Sequence, residues 1–84
     1  MGQDDEVMLL GARLDGLARC FMALVADLEK REQLNGPRFC GSLRRMAGVR
    51  KKAAGQESVG VAICEIAELL DEARKTRRRL SDAG

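Results

Sequence analysis

The side chains best placed to do chemistry are four carboxylates, Glu65, Glu68, Asp71 and Glu72, and three thiols, Cys20, Cys40 and Cys64. The carboxylates recur at helical spacings of three and four residues, so one side of a helix would gather them, and such pairs can hold metal ions. Helical di-metal proteins complete the set with Glu-x-x-His motifs, and this chain contains no His. It therefore lacks the commonest general base and the usual activator of a nucleophilic Cys. The cysteines have no Cys-x-x-Cys pair of the kind zinc favours. Nothing resembles a phosphate loop, a nucleophile elbow or a dinucleotide fingerprint. The expectation is a protein that is not an enzyme and uses neither metal nor cofactor. Its acids read as a solvated face and its thiols as small hydrophobes.

The basic residues are the stronger signal. Residues 38–52 carry six basic side chains and no acid, residues 57–72 five acids and no base, and residues 74–79 five bases. Net charge is only +2, so segregation of charge is the feature to explain. Arg38, Arg44, Arg45, Lys51 and Lys52, with Arg74 and Arg78, are the candidate contacts to a phosphate backbone or to an acidic protein partner. Phe21 and Phe39 are the only aromatics and fall at core positions, which disfavours base stacking on single strands.

The elements that must position these groups are helices. Val7, Leu10, Leu14, Leu17, Phe21, Leu24 and Leu28 fall at alternating spacings of 3 and 4, the stripe of a helix buried along one face. This helix is predicted over about residues 4–34, with Asp4 as its cap. Met8, Leu9 and Met22 lie off the stripe, which implies a second buried face and makes them the candidate dimer contacts. Asn35 and Gly36 suit a helix C-terminus, and Pro37 suits the first turn of the next helix. A second helix follows over about 37–54, with Phe39, Leu43, Met46, Ala47 and Ala53 on its apolar side. Gly55 ends it, and a third runs over about 56–80 with Val59, Ile63, Ile66, Leu70 and Leu80 on its stripe.

At 84 residues, few of them β-branched, the chain is a single all-α domain. Its predicted architecture is a small three-helix up-down-up bundle, or a helical hairpin plus a third helix. The second helix is too short to cover the first, so a homodimer is expected. No run reaches the roughly 20 apolar residues a bilayer requires, and the odd cysteine count suggests no disulfide framework. Both fit a cytoplasmic setting with no membrane role. The functional expectation is a helical protein–protein interaction module, a small regulator or inhibitor of a larger assembly. The alternative is a nucleic-acid-binding regulator using the basic face of the second helix and the end of the third.

Overall fold

A computed structural model describes residues 2–83. They form three helices, α1 (Gln3–Lys30), α2 (Gly36–Lys52) and α3 (Glu57–Ala83), with no strand among the described residues. The chain is all-α, as its composition indicates.

Helix α1 begins at Gln3 behind an extended Gly2 whose end carries no side-chain cap. Asp4 is thus inside the first turn, with Asp5 and Glu6, where carboxylates offset the positive end of the helix dipole. The helix stops at Lys30, short of the expected residue 34. Glu32 adopts the left-handed conformation with φ 58°. Its N–H donates to the Glu29 carbonyl at 3.1 Å, and that of Gln33 donates to Leu28 at 2.9 Å. This pair of bonds is a Schellman ending with Glu at the position usually held by Gly. Asn35 then serves the next helix rather than the last one. Its side chain accepts a hydrogen bond from the Arg38 N–H at 3.0 Å, and Pro37 lies in the first turn.

Helices α2 and α3 form a tight antiparallel hairpin around Gly55, whose φ of 78° suits a residue without Cβ. Small residues face one another across it. The Cys40 thiol donates to the Ala67 carbonyl at 3.7 Å, and Ala47 lies over Gly60. A Cβ at Gly60 would stand 2.7 Å from the Ala47 oxygen and 3.0 Å from the Lys51 nitrogen, both backbone atoms. Gly60→Ala should gain about 1 kcal/mol in helix propensity, yet forcing the axes apart costs roughly 1–3 kcal/mol. A net loss of stability in urea melts is the expected result. A gain would show that the hairpin does not pack this closely.

Helix α1 joins the hairpin only near its C-terminal end. Val25, Cys40, Ala67 and Leu70 are buried together, flanked by Phe21, Met22, Leu34, Phe39, Leu43 and Ile66. The rings of Phe21 and Phe39 meet tilted, with centroids 6.2 Å apart. Residues 2–17, by contrast, are all exposed. The heptad stripe predicts burial along the whole of α1, but of its residues only Phe21 and Leu28 are half-buried by the rest of the chain, and Leu24 between them is still 56% exposed. Met46, expected on the apolar side of α2, is also half exposed.

The result is an extended molecule. Its radius of gyration is 15.5 Å, where a compact chain of this length has about 12 Å. Its accessible surface is 6677 Å², where a compact monomer of 9.2 kDa exposes about 4,900 Å².

Candidate interaction surface and the ion network behind it

Toward its N-terminus α1 diverges from the hairpin and leaves a wedge-shaped groove. Leu14, Leu17, Ala18 and Phe21 form one wall, and Leu43, Ala62, Ile63 and Ile66 the other, around about 580 Å³. All eight side chains are apolar. Val7, Leu10, Leu14 and Leu17 are each more than half exposed, continuing the same stripe beyond the groove. Met8 and Leu9, the expected dimer contacts off the stripe, are exposed beside it. Met22 is not equivalent to them, because it packs partly against the internal core. An exposed apolar stripe this long is uncommon on a helix facing water.

The closed end of the wedge is held by charge. Arg74 of α3 donates from Nε to the Glu29 carboxylate of α1 and from Nη1 to Asp71, both at 2.7 Å. Arg77 reaches the second oxygen of Glu29 at 3.1 Å, and Arg44 of α2 donates to the second oxygen of Asp71. Arg74 also places Nη2 3.6 Å from the Cys40 sulfur. One carboxylate from α1 and one guanidinium from α2 thus meet on an α3 platform. Gly36 makes room for this clasp, since a Cβ there would run into the Glu29 carboxylate.

The network sets protonation states. Hydrogen bonds from Arg44 and then Arg74 hold Asp71 down to about 2, against partial desolvation. Desolvation pushes the Arg74 guanidinium down, but its bonds to Glu29 and Asp71 outweigh that and carry it up. Burial pushes the Cys40 thiol up, with the Arg74 contact opposing. Cys40 is therefore a protonated, inert thiol at neutral pH. Because the folded pKa of Asp71 lies below its unfolded value of about 3.8, its stabilisation is complete above that value. It should fade as pH falls from about 4 toward 2, by on the order of 1–2 kcal/mol after allowance for solvent screening. Asp71→Asn should flatten that limb of a pH–stability curve. An unchanged acid limb in the variant would assign the loss to other carboxylates.

The residues expected to contact a partner are thus divided. Arg74 is only 17% exposed and Arg44 pairs with Asp71, so both serve the interior clasp. Arg38, Arg45, Lys51 and Lys52 are exposed on α2 without an acidic partner among the described residues. Arg78 is exposed on α3, apart from the α2 group. Glu65, Glu68 and Glu72 line the outer face of α3 with the exposed Leu69. Among the described residues no three His, Cys, Asp or Glu side chains gather as a metal site, and Cys20 is exposed while Cys40 is buried. The groove walls and Glu29 were not distinguishable as site residues in the sequence. The surplus of apolar positions on the first helix over the length of the second was the available signal for the groove.

No protein-family model, no curated protein and no solved structure matches the chain. No helix among the described residues is long and apolar enough to cross a membrane.

Proposed function

We propose that this chain is a non-enzymatic helical protein–protein interaction module that works as a homodimer through the open face of α1. A small regulator or inhibitor of a larger assembly fits such a module. The carrying observation is the stripe from Val7 to Leu17, in register along a helix and uncovered by its own chain. The surface excess supports it. Relative to a compact monomer the chain shows roughly 1,800 Å² more surface, against the ~800 Å² each partner contributes to a standard stable interface. Sedimentation equilibrium from about 1 to 100 µM should give twice the chain mass at the upper end. A single-chain mass throughout would refute the homodimer.

One observation favours a second reading. Arg38, Arg45 and Lys52 stand seven residues apart along α2, exposed and without an acidic partner among the described residues. They could track a duplex backbone. Anisotropy of a labelled random-sequence duplex should then rise on titration and fall steeply with salt, with Arg45→Glu and Lys52→Glu removing the signal. No binding at low salt would eliminate this reading and leave the basic face to solvent or protein.

A further inference from the structure

The groove and the free half of α1 differ in kind, one being a slot and the other an apolar rod. We propose that they belong to one interface, in which the N-terminal half of α1 from a second copy enters the groove antiparallel to the α1 that forms its wall. This rests on the homodimer reading and specifies its geometry.

Three features carry it. The first is chemistry, because the groove is lined only by aliphatic side chains and one Phe. An apolar helix face is the occupant such a slot selects. The second is economy of surface. A face-to-face contact between two α1 stripes would cover Leu14 and Leu17 but leave the hairpin wall of Leu43, Ala62, Ile63 and Ile66 in water. An inserted helix covers both walls, and a two-fold axis repeats the insertion in the other copy, so each exposed stripe and each groove is used once.

The third feature is charge, which selects the direction. Asp4, Asp5 and Glu6 make the first turn of α1 acidic, while its middle carries Arg13 and Arg19 about a single acid, Asp15, which pairs with Arg19 at 2.8 Å and leaves that stretch net positive. Antiparallel pairing about an axis at Ala12 brings the acidic turn of each copy beside Arg19 of the other. It also aligns Val7 with Leu17 and Leu10 with Leu14 of the second copy, as a and d positions of antiparallel helices meet. Parallel pairing would instead set acid against acid and base against base.

Ala62 provides the test, being an exposed wall residue whose replacement leaves the internal core untouched. In sedimentation runs Ala62→Glu should keep the helical circular-dichroism spectrum and weaken dimerisation about a hundredfold or more, because a charge would be buried unpaired. A dimer of unchanged affinity would overturn the insertion while leaving the homodimer intact. A wild-type chain that is monomeric at 100 µM would overturn both. Direction is tested by two further chains, one with Asp4, Asp5 and Glu6 changed to Lys, the other with Arg19 changed to Glu and its intrahelical partner Asp15 to Asn. In the antiparallel arrangement each alone dimerises several-fold more weakly than wild type, and mixing them restores dimer as a heterodimer. If either variant alone dimerises as well as wild type, the antiparallel arrangement is wrong.

Discussion

Arg74→Ala is expected to lower the stability of the fold by about 2–4 kcal/mol, somewhat under the cost of breaking a fully buried ion pair. The side chain is 17% exposed and its partner Glu29 only 12%. Truncation therefore leaves a largely desolvated carboxylate with Arg77 alone for company, and frees Asp71 from one of its two guanidinium donors. At roughly 4–8 °C per kcal/mol for a domain of this size, the melting temperature should drop by about 8–32 °C. Melts should be compared at equal chain concentration, since assembly would add its own stabilisation. Arg74→Lys should recover little, because an ammonium cannot make the Nε and Nη1 bonds together. Arg44→Ala should cost less, as that side chain is 44% exposed and makes one ion pair where Arg74 makes two. Equal losses for Arg44 and Arg74 would mean that the clasp holds nothing beyond surface charge.

The clasp also marks where reading the sequence runs out. Spacing shows that Asp71 and Arg74 lie one turn apart on a helix, so their pairing was legible. Glu29 comes from 45 residues away, and no local pattern announces it. The run from Arg74 to Arg79 consequently looked like a phosphate-tracking or partner-binding surface, although Arg74 and Arg77 turn inward to α1. Glu32 was obscure for a related reason. A non-Gly residue at a left-handed C-terminal position carries no signature, whereas Gly55 carries a clear one. The three helices and their two connections were legible because Pro37, Gly55 and the 3/4 stripes are local signals. Periodicity shows that a face is apolar but not what covers it. Met22, off the stripe, is partly buried because α1 meets both other helices at its C-terminal end, which widens the covered arc. Leu14, on the stripe, is exposed because the same helix leaves the hairpin before that point.

The same distinction yields a sharp expected result at the stripe itself. Leu14→Asp with Leu17→Asp should leave the secondary structure and the unfolding of the single chain nearly unchanged, because both side chains are more than half exposed there. Dimerisation should nevertheless be lost at 10 µM. Each Leu withdrawn from an interface forfeits about 1.5–3 kcal/mol of apolar burial, and symmetry doubles the number withdrawn. Val25→Asp is the informative contrast, since Val25 is 3% exposed in the internal core. That change should unfold the α1 contact outright, by burying a charge with no partner. Were the stripe an ordinary core face, the two sets of variants would behave alike and both would melt the fold. A monomeric, fully helical Leu14/Leu17 variant beside an unfolded Val25 variant would divide α1 into two working parts. Its C-terminal end would serve this chain's own core, and its N-terminal half would serve another copy.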